Sequence, residues 1–118
     1  MRHDRLEGMA KGWFVGDFQP VALRSVACEV AVKTYRSGDF EEAHYHAIAT
    51  EVTAIIAGEA RMFGRVWRTG DIITIEPGEA TSFQALTDVT TVVVKLPSAP
   101  GDKYLANAEP QAPKSLAS

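Results

Sequence analysis

Residues 38–58 read Gly-Asp-Phe-Glu-Glu-Ala-His-Tyr-His-Ala-Ile-Ala-Thr-Glu-Val-Thr-Ala-Ile-Ile-Ala-Gly and hold two of the three histidines of the chain as His44-Tyr45-His46. A strand over Ala43 to His46 sends alternate side chains to opposite faces, so both imidazoles point one way and Tyr45 the other. With Ala47-Ile48-Ala49-Thr50 as a hairpin loop, the next strand begins at Glu51. His46 then stands opposite Glu51 and His44 opposite Thr53. Opposed residues share a face, so His44, His46 and Glu51 converge. Ala57-Gly58-Glu59-Ala60 reads as a second, two-residue hairpin, which continues the Glu51 face through Thr53, Ile55 and Ala57 to Ala60, Met62 and Gly64. The other face carries Val52, Ala54, Ile56 and Phe63. A strand apolar on both sides must be covered on both, so a homodimer is expected, with the Trp13-Phe14-Val15 arm contributing to the contact.

Working outward, short β-rich runs bounded by Gly, Pro and Asp recur at 28–35, 43–46, 51–57, 60–67, 72–75, 81–85 and 89–96. The pattern is that of an all-β barrel or sandwich with little helix. Glu76-Pro77-Gly78-Glu79 places Pro and Gly where a type II turn needs them. Three zones follow: a leader over 1–12, a barrel domain over 13–96 and a tail over 97–118. Beyond Ala106 the tail is too poor in core formers to offset ordering entropy, and that part is expected to be disordered. At 118 residues, with 46% hydrophobic and 23% charged residues, the chain has the make-up of a single compact domain. Twelve basic against fifteen acidic residues give a net charge of -3, with no basic stretch, so nucleic acid is not an expected partner. No apolar run approaches the roughly 20 residues of a membrane span, and residues 1–8 lack the apolar core of a signal peptide. A soluble, cytoplasmic protein is expected. The single cysteine, Cys28, rules out an intrachain disulfide framework and a thiolate metal site, and is read as a small buried residue.

Two neutral imidazoles and one carboxylate on one side suit a divalent transition metal held in a facial arrangement, with about three positions open. The competing reading makes the two histidines hydrogen-bonded core residues, with Glu51 accepting from one of them. In spacing as well as residue type, Gly38-x5-His44-x-His46-x4-Glu51-x6-Gly58 resembles the first signature motif of the cupins. The second cupin motif is similar to residues 70–83, which share its Gly70-Asp71 start, its Pro77-Gly78 turn and its Phe83. Two positions depart from it: Glu76 replaces the usual first proline, and Thr81 stands where the fourth ligand, a histidine, is usual.

The resemblance implies a small single-domain, RmlC-like jelly-roll barrel of two antiparallel sheets, often homodimeric, with a metal and a small-molecule pocket inside. Carried over by position, His44, His46 and Glu51 match three metal ligands. Thr81 is the candidate for the fourth position, although a neutral hydroxyl is a poorer donor than imidazole. Glu79 shares the strand parity of Thr81 and could supply a carboxylate. The metal would be iron, manganese, nickel or zinc. Thr53, Ile55, Met62, Phe83 and Tyr35 are the candidate pocket residues, with Lys33 a further polar contact. With Glu51 ionised and both imidazoles neutral, a divalent ion leaves about +1, which suits an anionic organic ligand. The reaction class stays open between a dioxygenase, an isomerase and a lyase, and no catalytic acid or base stands out. Two alternatives are a non-catalytic binding or sensing barrel with no obligatory metal, and a metal-independent sugar isomerase or epimerase. The last would want a His–Asp dyad that the sequence does not display.

Overall fold

The structure is a computed structural model that describes residues 1–106. A short 3-10 turn at Leu6–Gly8 precedes eleven strands: β1 (Trp13–Gly16), β2 (Leu23–Arg24), β3 (Glu29–Tyr35), β4 (Phe40–Tyr45), β5 (Thr50–Ala57), β6 (Glu59–Met62), β7 (Arg65–Arg68), β8 (Ile72–Ile75), β9 (Thr81–Ala85), β10 (Val89–Leu96) and β11 (Tyr104–Leu105). They form a six-stranded sheet in the order β2-β1-β3-β10-β5-β8 and a five-stranded sheet in the order β11-β4-β9-β6-β7. All pairings are antiparallel except β1 with β2. From β3 to β6 each successive strand changes sheet, and so do β8, β9 and β10. This is the jelly-roll winding expected from the sequence. Among the described residues no helix is long and apolar enough to cross a membrane.

Both expected hairpins are overturned. β4 and β5 lie in different sheets, as do β5 and β6, so residues 47–49 and Gly58 are crossings between layers and not reversals within a ladder. The reason is competition for hydrogen-bonding edges. β10, dense in β-branched residues, pairs with β5 from Thr50 to Ala57, and β8 takes the other edge of β5. β4 pairs instead with β9 and β11. At Gly58 φ is +97°, and an added Cβ would collide with the Asp88 carbonyl. The expected strand over 60–67 is two strands. Phe63 and Gly64 both have positive φ, making a two-residue turn that pairs Met62 with Arg65. A Phe-Gly pair carries little of the usual turn chemistry, so this hairpin is not visible in the sequence. The Pro77-Gly78 turn forms as expected, with Glu79 N–H donating to the Glu76 carbonyl at 3.1 Å.

Cross-strand pairing sorts the larger sheet into rows. Facing inward are Glu29–Lys95–Glu51–Ile75, Ala31–Val93–Thr53–Ile73 and Lys33–Thr91–Ile55. Facing outward are Val30–Val94–Val52–Thr74 and Val32–Val92–Ala54–Ile72. The core cluster of Ile55, Ala60, Met62, Ile73, Ile75, Phe83, Ala85 and Val89 fills one end between the sheets. The inner polar residues Lys33, Glu51, Thr53, Thr91 and Lys95 line a cavity beside it. β1 pairs with β3, so the Trp13 arm is a strand of the larger sheet of its own barrel. Cys28 is only partly buried.

The boundary drawn at Pro97 falls too early. Ser98 Oγ and Ala99 N–H both donate to the buried Glu29 carboxylate at 3.0 Å, and β11 extends the smaller sheet beside β4. Between them Asp102, 4% exposed, accepts from three successive backbone N–H groups: Ala47 at 2.9 Å, Ile48 at 3.0 Å and Ala49 at 3.0 Å. Residues 97–106 are therefore integrated by hydrogen bonding, which apolar content does not report. The expectation of disorder over 107–118 lies outside the described residues. Asp102→Ala leaves this crossing loop without its acceptor and should destabilise the chain by about 2–4 kcal/mol. Asp102→Asn, which keeps one acceptor oxygen, should cost roughly half of that. Chemical denaturation of the two variants measures both losses.

Candidate functional site

The cavity between the sheets has a volume of about 240 Å³. β4 and its end supply His44 and His46, while β5 supplies Glu51 and Thr53, and all four line it. The three expected ligand residues thus face one space, though across the gap between layers. Tyr35, Met62, Thr81, Phe83, Lys33 and Glu79 line it too. Ile55 does not: it is 1% exposed and lies within the core cluster.

Each imidazole is oriented by a backbone carbonyl. His44 donates from Nδ1 to the Glu42 carbonyl at 3.1 Å, and His46 donates from Nδ1 to the Asp102 carbonyl. A carbonyl can only accept, so both Nδ1 atoms carry hydrogen and, in the neutral ring, both Nε2 atoms carry a lone pair. Nε2 of His46 faces Glu51 Oε1 at 3.1 Å, with His46 only 6% exposed. Glu51 is fixed from its other oxygen, which accepts from Thr53 Oγ1 at 2.8 Å. A neutral imidazole lone pair against a carboxylate is two acceptors in contact. A shared proton or a bound cation has to join them.

Burial alone would raise the pKa of Glu51, but hydrogen bonds from His46 and Thr53 and the charges of His46 and Lys95 outweigh it, so the carboxyl is held below its usual range. Burial lowers the pKa of His44, and the charge of Lys103 adds to this against the opposing bond to Glu42. Burial, together with Glu41, which faces its hydroxyl at 3.4 Å, pushes Tyr35 up, so it stays a phenol. Among the described residues no three His, Cys, Asp or Glu groups are gathered at metal-ligating spacing. His46 and Glu51 touch, and the His44 ring lies edge-on with its centroid 5.5 Å from that of His46. The donor set nonetheless fits a borderline transition ion: two imidazole nitrogens, each oriented by a hydrogen bond to its other nitrogen, and a carboxylate with its own outer partner.

Thr81 is the cross-strand partner of His44, yet its hydroxyl is committed elsewhere. It accepts from Phe63 N–H and donates to the Ser82 carbonyl, both at 2.8 Å. That leaves it little to offer as a fourth ligand. The sequence reading missed Asp102, which orients His46 while anchoring the loop between His46 and Glu51. A lone aspartate after Pro100-Gly101 carries no signal of that role. It also missed Lys11, Lys95, Lys103, Glu41 and Thr91, which line the cavity. Alternation within β3 and β10 could have placed Lys95 and Thr91 on one face, but not the sheet order that turns that face inward. Thr91 is 1% exposed and its hydroxyl has no hydrogen-bond partner among the described residues, a state that costs about 1–3 kcal/mol.

No family model matches this sequence, and no curated protein matches it. Solved structures do match by fold. An uncharacterized conserved protein with a double-stranded beta-helix domain from Klebsiella pneumoniae is 25% identical, with a TM-score of 0.64 over 71% of this chain and 74% of that one. The DMSP lyase DddQ from Ruegeria pomeroyi is 19% identical, with a TM-score of 0.68 over 92% of this chain and 61% of that one. An RmlC-like cupin from Shewanella frigidimarina is 18% identical, with a TM-score of 0.57 over 65% and 71%. At such identities the likeness speaks for architecture, and activity has to be argued from the site. The winding of the strands and these neighbours together establish that the chain carries the double-stranded β-helix fold of the cupins.

Proposed function

We propose that this chain binds a divalent transition metal through His44, His46 and Glu51 and receives a small anionic organic ligand in the same cavity. The observation that carries this reading is the contact of His46 Nε2 with Glu51 Oε1 at 3.1 Å while Nδ1 of each histidine is spoken for by a carbonyl. A bound ion relieves that contact, as a shared proton also does, and these are the atoms an ion would use. Bound there, the ion would act as a Lewis acid toward a carbonyl or carboxylate oxygen of the ligand.

The residues of the chain do the rest. Asp102 and Glu42 hold the imidazoles in the ligating tautomer, and Thr53 holds the carboxylate. With neutral imidazoles and an ionised Glu51, a +2 ion leaves +1, so an anion is favoured over a neutral or cationic ligand. Thr81, engaged with backbone, leaves the fourth position to the ligand or water. Met62, Ile75 and Phe83 form an apolar floor that limits water at that position. Whether the ligand is isomerised, cleaved or oxidised is left open between the lyase, isomerase and dioxygenase classes. A second reading, a metal-free binding module, is favoured by the wide placement of His44, and in it a shared proton joins His46 and Glu51.

Elemental analysis of protein purified without chelators or nickel resin separates the two. About one iron, manganese, nickel or zinc per chain is expected, lost in His46→Ala, and Thr53→Val should weaken uptake about 10–100-fold. Metal-free protein whose melting is unchanged by chelator would leave the binding module instead.

Protons act on the same groups. The folded pKa values of His44 and Glu51 both lie below their ordinary values of 6.5 and 4.5, so the unfolded chain binds more protons as the pH falls. The metal-free chain should therefore lose stability first below about 6.5, from His44, and again below about 4.5, from Glu51. Thermal melts across this range measure it, and His44→Gln should remove the upper step alone.

We also propose that two copies pair through the outer apolar rows of the larger sheet, where Ile72 is 67% and Ile56 51% exposed. Sedimentation should give a dimer, and Ile72→Lys should shift it toward monomer.

A further inference from the structure

The inner row Lys33–Thr91–Ile55 lies four residues along β3 and β10 from the row that contains Glu51. We propose, on the reading that a metal sits at His44, His46 and Glu51, that Lys33 and Thr91 form the far end of the cavity and capture the second carboxylate of a short dicarboxylic acid whose first carboxylate meets the metal.

Two polar groups with no partner meet here. Thr91 Oγ1 is buried, lines the cavity and has no hydrogen-bond partner among the described residues. Lys33 stands directly opposite it on the neighbouring strand, so their Cβ atoms are about 5 Å apart. Among the described residues no carboxylate comes within ion-pairing distance of the Lys33 ammonium. The contrast is Lys95 on the same inner face, whose Nζ is paired with Glu29 at 3.2 Å. Both ammoniums sit near the Trp13 ring, Lys33 at 5.7 Å and Lys95 at 5.0 Å from its centroid, so the aromatic contact does not explain why only one has a carboxylate. A carboxylate has two oxygens. One accepts from Lys33 Nζ and the other from Thr91 Oγ1, which satisfies both groups together.

Charge and size agree. Lys11, Lys33 and Lys103 against Glu41 and Glu79 leave +1 on the cavity walls, apart from the paired Lys95 and Glu29 and from the metal face. Together with the +1 of the metal face, this matches a dianion. Burial, with Lys103 and Lys11 nearby, lowers the pKa of Lys33 against the opposing pull of Glu41, and a bound carboxylate would raise it again. A cavity of about 240 Å³ suits a small organic ligand and not a large one.

Calorimetric titration of the full chain with succinate, in metal-free and manganese-loaded forms, tests this, with butyrate and succinamide as probes that lack the second or both charges. Succinate should bind at least tenfold more tightly than butyrate or succinamide. Lys33→Met should remove that advantage while manganese uptake stays as in the parent chain. Lys33→Arg should restore part of it. Thr91→Val, nearly isosteric, should weaken succinate several-fold and supports the same conclusion should Lys33→Met fold poorly. If no manganese binds, the metal reading fails, yet succinate must still bind the metal-free chain in a manner dependent on Lys33. Equal succinate affinity in Lys33→Met and the parent chain, or no preference for succinate over succinamide in either form, would overturn the proposal.

Discussion

The carboxylate of Asp102 is the constraint on which the site depends. A loop that leaves one sheet and enters the other cannot satisfy its backbone donors by strand pairing, and residues 47–49 turn three of them toward one buried anion. The same residue presents its backbone carbonyl to His46 Nδ1. One position therefore sets both the path of the chain between His46 and Glu51 and the tautomer of His46. The Pro77-Gly78 turn adds to this from the other side, since Gly78 N–H donates to the His46 carbonyl at 2.8 Å.

With that loop in place, the division of the interior follows from row pairing. Sequential inner rows of the larger sheet run from charged, through small and apolar, to a mixed row of lysine, threonine and isoleucine. The apolar cluster packs beside them, so the polar groups share a small, largely buried space. Low local dielectric strengthens each contact and makes each unpaired group costly. The buried Glu29 is fully engaged, by Lys95, Ser98 and Ala99, and needs nothing more. Among the described residues Thr91 and Lys33 have no such partner, and in the proposal above that difference separates the structural part of the interior from the part that meets a ligand.

Much of the fold and the core of the candidate site were legible in the sequence. The two-residue period of a strand is a local property, so it placed His44 with His46, and Glu51 with Thr53, without knowledge of any partner strand. The β-rich runs and the Pro-Gly turn marked an all-β barrel, and the spacing of histidines and glutamate carried the likeness to the cupins. Hairpin geometry was the wrong route: His44 and His46 come from one layer and Glu51 from the other, and the three line one cavity without being gathered at ligating distance, where the reading had them neighbours on one ladder.

Partner choice was beyond reach of the sequence, because it depends on which edges are left when all strands compete at once. β10 won both β3 and β5 through its long β-branched run, and only that outcome turned Lys33, Thr91 and Lys95 inward. Asp102 and Thr81 make the same point at single residues. Their types are readable, but whether a carboxylate meets three amides, or a hydroxyl is spent on backbone, is decided by contacts 53 and 18 residues away along the chain. Local periodicity settles which way a side chain faces, and only the closed barrel settles what it finds there.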